Sequence, residues 1–200
     1  MAWGAGSVST AVIGGLIWVG GGIVGTSTVD NFAAYDPVSD AWTPRASMPQ
    51  GRNHAASASD GKLMYVFGGR VLGNFVTNGF DTVQIYDPVA NAWTSSGDAG
   101  ATIAPLPQAR GGMGSAVYYR GEFYVFGGET FDGPGATPDD VYSRVDVYDP
   151  VANAWRQEAA MPSPRHGIDP VLFQSRMFLA GGGTQAGSSM VTVFDVFTRQ

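Results

Sequence analysis

Hydrophobic residues in this chain come in short bursts separated by turn formers. Runs of four apolar residues close on paired glycines four times: Leu16 to Gly21, Met64 to Gly69, Phe123 to Gly128 and Met177 to Gly182. Such runs are too short for helices, and their β-branched and aromatic content predicts buried strands. The first three are preceded by Gly14-Gly15, Asp60-Gly61 and Arg120-Gly121, dipeptides suited to the positive φ of a two-residue hairpin. In the best-marked segment the pattern predicts four strands, over residues 112–118, 122–126, 145–148 and 154–157.

The bursts belong to a longer internal repeat. Tyr35-Asp36-Pro37, Tyr86-Asp87-Pro88 and Tyr148-Asp149-Pro150 are followed, five residues after each proline, by Trp42, Trp93 and Trp155. Further on come Met48-Pro49 with Arg52, Leu106-Pro107 with Arg110, and Met161-Pro162 with Arg165. The glycine pairs are separated by 48, 59 and 54 residues. Four short strands per unit of that length make a propeller blade.

Each landmark has a physical task. Proline presets φ at the second position of a tight turn, and the aspartate before it can bond back to the backbone. Paired glycines at a strand end allow close backbone approach or a φ closed to other residues. Tyrosine and tryptophan are large enough to fill the wedge between blades.

Taken together, the diglycine, the Tyr-Asp-Pro, the spaced Trp and the Met-Pro with its arginine resemble the kelch repeat family over nearly the whole chain. The resemblance implies an all-β, kelch-type β-propeller, with approximate repeats over 7–48, 52–107, 110–162 and 165–200 in a single domain. In the fourth repeat the third strand is expected over 191–194, with Phe194-Asp195 standing for Tyr-Asp, and no Trp-bearing strand follows. The expectation is three complete four-stranded blades plus an incomplete fourth, a piece of a larger propeller, with a closed four-bladed ring as the rival. An apolar third strand left at an edge invites pairing with more chain or another subunit.

Composition narrows the options. The 29 glycines, 12 prolines, 12% aromatic and 14% charged residues suit a turn-dense β protein with an ample core. Cysteine is absent, which removes disulfides and thiolate metal sites and leaves the compartment open. Residues 12–24 are apolar and residues 1–29 uncharged, yet glycines interrupt the stretch, no basic segment precedes it, and it aligns with the first strands of the other units. A blade therefore fits better than a membrane span or leader. A net charge of −6 with scattered arginines opposes nucleic-acid binding.

Function then rests on loops. Alternating strand directions put the second-to-third loop and the inter-blade connection at one end of the propeller. That rim would carry Arg52, Asn53, His54, Arg110, Arg165 and His166. Long overhanging loops, over 70–82 and 129–144, would add Arg70, Asn74, Phe75, Glu129, Asp132, Asp139 and Asp140. In peptide-binding kelch proteins the repeated arginine lines the mouth and grips acidic groups; the resemblance implies the same for Arg52, Arg110 and Arg165. The competing reading has these arginines bonding carbonyls between blades. Unit one lacks the residue. A calcium site in the acidic loop is conceivable on its oxygen ligands alone, but no metal or cofactor is expected.

The sequence contains no Gly-x-Ser-x-Gly elbow, no His-Glu-x-x-His motif and no phosphate loop with its Lys, and the single lysine is Lys62. Two functions remain: a module binding a protein or peptide partner, acidic in character, and a carbohydrate-active propeller resembling sialic acid epimerase, taking a small sugar acid. An arginine in every blade serves either.

Overall fold

The computed structural model describes residues 3–71, 79–130 and 141–199. Among them there is no helix, and the strands form four antiparallel sheets arranged as propeller blades. The first contains β1 (Ser9–Ile13), β2 (Leu16–Gly20), β5 (Phe32–Asp36) and β6 (Ala41–Pro44), with a two-strand flap, β3 (Ile23–Val24) and β4 (Ser27–Thr28), between β2 and β5. The second runs β7 (Ala56–Ser59), β8 (Met64–Phe67), β9 (Val83–Asp87) and β10 (Ala92–Ser95); the third, β11 (Val117–Tyr119), β12 (Glu122–Phe126), β13 (Val145–Asp149) and β14 (Ala154–Gln157). The fourth has β15 (Val171–Phe173), β16 (Arg176–Ala180) and β17 (Phe194–Phe197). Strands β1, β7, β11 and β15 touch in succession and form the inner wall.

Successive blades bury their faces against each other. Trp18 and Phe32 of the first meet Met64, Val66 and Tyr86 of the second, with Phe32 and Tyr86 edge to face at 4.5 Å. Tyr65 and Phe67 meet Phe123 and Tyr148, and Tyr124 and Phe126 meet Met177, Leu179 and Phe197. Period-2 alternation explains this, since odd and even positions of one strand serve opposite neighbours. On the far face of the fourth blade Val171, Phe173 and Phe194 are exposed.

The Tyr-Asp-Pro landmark closes the β-turn between the third and fourth strands. Asp36, Asp87 and Asp149 each accept the amide of the residue two positions on at 2.8 Å, the side-chain turn expected of Asp-Pro. The tyrosine hydroxyls of Tyr86 and Tyr148 donate to Asn91 and Asn153 across the same turn. The landmark tryptophans Trp42, Trp93 and Trp155 are only half-buried. Trp93 and Trp155 donate Nε1–H to the carbonyls of Ala46 and Ala104 at 2.9 and 3.1 Å, pinning each outer strand to the connection that enters its blade.

Three boundaries differ from the sequence expectation. The left-handed glycine pair that follows β2 is Gly21-Gly22, not Gly20-Gly21; Gly20 is the last residue of β2 and faces Phe32. The reason is a third consecutive glycine, which makes two registers equally readable. The strand predicted over 112–118 begins only at Val117, because Met113 and Ala116 donate their amides to His54 and Ser57 of the preceding blade instead. In the fourth unit the third strand spans Phe194–Phe197 rather than 191–194. The apolar residues 12–24 lie in β1 to β3, and no helix among the described residues is long and apolar enough to cross a membrane.

Candidate functional site

Corrected register aligns the units at every rim position. Arg52, Arg110 and Arg165 occupy one of them, and Ala5 holds it in unit one. All three guanidinium groups are fully buried. Each donates to the carbonyl of the first glycine of its own blade's pair: Arg52 to Gly68 at 2.7 Å, Arg110 to Gly127 at 2.6 Å, Arg165 to Gly181 at 2.8 Å. Their backbone carbonyls accept the second glycine amide of the blade before, from Gly22, Gly69 and Gly128. Each arginine thus staples two blades.

The rest of each guanidinium meets an acceptor at one fixed position of the third strand. Arg110 pairs with Asp146 at 2.8 Å and Arg165 with Asp195. Gln84, its amide oxygen turned inward, accepts from Arg52 at 2.9 Å. Unit one has Ala33 there, so arginine and acceptor are missing together. Burial pushes Arg52 and Arg110 down to about 9 and about 10, the latter partly restored by Asp146, so both remain cations at neutral pH. The carbonyl-bonding reading describes what these side chains do; no part of them faces solvent for an acidic ligand to reach.

The next two positions form the lip of the axial opening. Gly6, Asn53, Gly111 and His166 are followed by Ser7, His54, Gly112 and Gly167, and this second set has φ values of 55°, 52°, 65° and 62°. The lip is tied by backbone bonds from His54 to Ser7, Met113 to His54 and Gly167 to Gly112. Left-handed backbone suits glycine and strains other residues. Units one and two nevertheless place side chains there.

Those side chains interlock. Ser7 Oγ lies 3.1 Å from His54 Nε2, His54 Nδ1 lies 2.7 Å from Asn53 Oδ1, and Asn53 Nδ2 donates to Thr28 Oγ1 at 2.7 Å. Ser7 and His54 open onto a cleft of about 260 Å³ along the axis, lined also by Thr10, Ser57, Met113, Ser115 and Asp169. Burial first, then the nearby charge of Arg70, pushes the His54 imidazole down to about 4, so it is neutral at physiological pH.

Below the lip, Arg70 and Glu129 are not on overhanging loops but directly follow their glycine pairs, bridged to Asn53 and Gly111. Glu129 is buried; it accepts from Arg70 Nη1 at 2.6 Å and from the Gly187 amide at 2.7 Å, with His166 Nδ1 3.6 Å away. It therefore ties three blades together. His166 Nε2 bonds the Gln185 carbonyl at 3.0 Å. Asn74, Phe75, Asp132, Asp139 and Asp140 lie outside the described residues. Among the described residues no three His, Cys, Asp or Glu side chains are grouped to hold a metal. Sequence reading missed Ser7, whose place becomes visible only once unit one is shifted by a residue.

The imidazole carries a pH prediction. Its unfolded value of about 6.5 exceeds the folded one, so between these values the unfolded chain holds a proton that the folded chain excludes. Stability is lost as pH falls from 6.5 towards 4. The melting temperature of His54→Gly should decline less steeply across that window than that of the wild type; parallel curves would show that the imidazole titrates normally.

A fold of radial four-stranded sheets with repeated arginine staples defines a kelch-type propeller, and the Kelch motif matches residues 5–49, 51–98 and 110–162. This chain belongs to the kelch repeat family. It is 31% identical over 199 residues to Kelch-like protein terF of Aspergillus terreus, covering 96% of this chain and 41% of that one. Identity to Kelch-like protein 25 of Xenopus tropicalis is 30% over 198 residues, covering 96% and 31%, and to alpha-scruin of Limulus polyphemus 29% over 192 residues, covering 86% and 19%. The chain thus spans less than half the length of these relatives. The solved structure of YjhT superposes with a TM-score of 0.75 at 19% identity, over 97% of this chain and 65% of that one, a likeness of fold.

Proposed function

We propose that this chain is a binding module that receives an extended segment of a protein partner at the axial lip, against Ser7, His54 and the cleft behind them. The observation that carries this reading is the lip itself: two units place side chains in a left-handed position that two others fill with glycine. Strain of this kind persists where a site needs the side chain. The cleft presents hydroxyls and a neutral imidazole, chemistry that suits the amide groups and hydroxyls of a peptide. An acidic peptide or a sugar acid would need an accessible guanidinium, whereas the three repeated arginines are enclosed and Arg70 is paired with Glu129. Rigid propellers commonly bind through loops at one end, and buried backbone braces leave that end free to vary.

Panning a random-peptide phage library against the chain tests this. Enriched clones should lose binding to Ser115→Trp, whose indole would fill the cleft, while that variant melts as a folded propeller. Clones that bind both proteins equally, or no enrichment over a bare support, would remove the axial lip as the binding site.

A further inference from the structure

The lip holds more than contact groups. Ser7 Oγ, His54 Nε2 and Nδ1, and Asn53 Oδ1 follow one another at 3.1 and 2.7 Å, the order of a nucleophile, a base and an orienting amide. The residues come from two blades, 47 positions apart at the hydroxyl-imidazole contact. From this geometry we infer that Ser7, His54 and Asn53 form a nucleophilic triad able to transfer the acyl group of a small uncharged ester. The inference stands independently of the peptide-binding reading.

Four features support it. Asn53 is fully buried and gives its Nδ2 hydrogen to Thr28, which directs Oδ1 to accept from His54 Nδ1–H. That hydrogen bond leaves Nε2 unprotonated and facing the serine hydroxyl. Ser7 is solvent-exposed at the cleft opening, so a substrate carbonyl can approach it. Both Ser7 and His54 stand where units three and four have Gly112 and Gly167, so the propeller itself does not require either side chain.

The chemistry balances within these groups. Ser7 Oγ adds to the ester carbonyl carbon while its proton passes to His54 Nε2. The adduct collapses by breaking the bond to the alkoxy oxygen, which takes that proton and departs as the alcohol. Water then attacks the acyl-serine, its proton moves to Nε2 and on to Ser7 Oγ, and the carboxylic acid leaves. Since burial holds the imidazole down to about 4, the base is in its unprotonated form throughout the neutral range.

A fluorophosphonate probe tests the assignment on the intact chain, because serine oxygen displaces fluoride at phosphorus with the same proton transfer. Intact mass and peptide mapping should find one adduct, on Ser7, and none in Ser7→Gly. In His54→Gly the labelling rate should fall on the order of 100-fold, with the melting transition retained because glycine is native to that position in other units. The wild-type rate should stay level from pH 8 to pH 5, where an ordinary histidine would lose its base form near 6.5. No adduct on Ser7, or equal labelling in His54→Gly, would overturn the triad; p-nitrophenyl acetate turnover unchanged in Ser7→Gly would do the same.

Discussion

Arg110→Ala should destabilise the chain by about 3–5 kcal/mol, the usual cost of removing one partner from a buried ion pair. Three bonds disappear together: Nε to the Gly127 carbonyl at 2.6 Å, Nη1 to the Gln108 carbonyl at 3.1 Å, and Nη2 to Asp146 at 2.8 Å. Two carbonyls lose a donor, and Asp146, wholly buried, retains Arg144 as its partner among the described residues. That second arginine, bonded through Nε and Nη2 to both carboxylate oxygens, keeps the loss towards the lower end. A melting point lowered by roughly 10 °C is the corresponding thermal shift for a domain of this size, read together with the urea midpoint. Ligand binding at a temperature where the variant is folded should be unaffected. Weakened binding with an unchanged midpoint would return Arg110 to the mouth and undo the staple.

Gly127→Ala should do still more damage, about 4 kcal/mol or more, among the largest single-residue effects. An added Cβ would stand 2.1 Å from the carbonyl oxygen of Arg165, and the backbone is left-handed at φ +54°. The obstructing atom is main chain fixed by its own bond to the Gly128 amide, so it cannot yield as a flexible side chain could. Gly121→Ala is the control. Its φ is +85° but nothing lies within 4 Å, so only the conformational cost of about 1–2 kcal/mol applies. Soluble yield and thermal melting of the two variants separate the effects; equal losses would show that close approach between blades is not what the glycine pair provides.

The two substitutions bear on one joint. Gly127 and Gly128 bring the end of β12 against the connection entering the fourth blade, and Arg165 closes the gap with its own carbonyl. Arg110 reaches the same pair from within its own blade, its side chain donating to the Gly127 carbonyl. The blades are thus held by polar contacts near the rim and by apolar faces such as Phe67 on Phe123, 5.5 Å between centroids, further out. Unit one departs from this scheme, with Ala5 and Ala33 where arginine and its acceptor belong.

How much of this was legible beforehand depended on distance along the chain. Asp-Pro turns, two-residue hairpins and four-residue apolar bursts are made by neighbours a few positions apart, so residue type alone determines them, and their recurrence defined a propeller of four-stranded units. The same locality explains the misplacement of the first glycine pair: with Gly20, Gly21 and Gly22 in a row, φ is decided by which of them meets the Arg52 carbonyl. The repeated arginines illustrate the other limit. Their spacing placed them at the rim, but a rim residue can point to solvent or into the seam, and only the packing of β9, β13 and β17 puts an acceptor opposite each guanidinium.

By itself, then, the amino-acid order determined strand, turn and repeat, because those follow from short-range sterics and from the period of apolar positions. The tertiary structure decided what the charged and hydroxylated groups are for: it enclosed Arg52, Arg110 and Arg165, drew Arg70 and Glu129 beneath the lip, and set Ser7 beside His54. Such pairings join residues tens of positions apart, and their existence depends on how blades rotate about a shared axis, a quantity that no local pattern encodes.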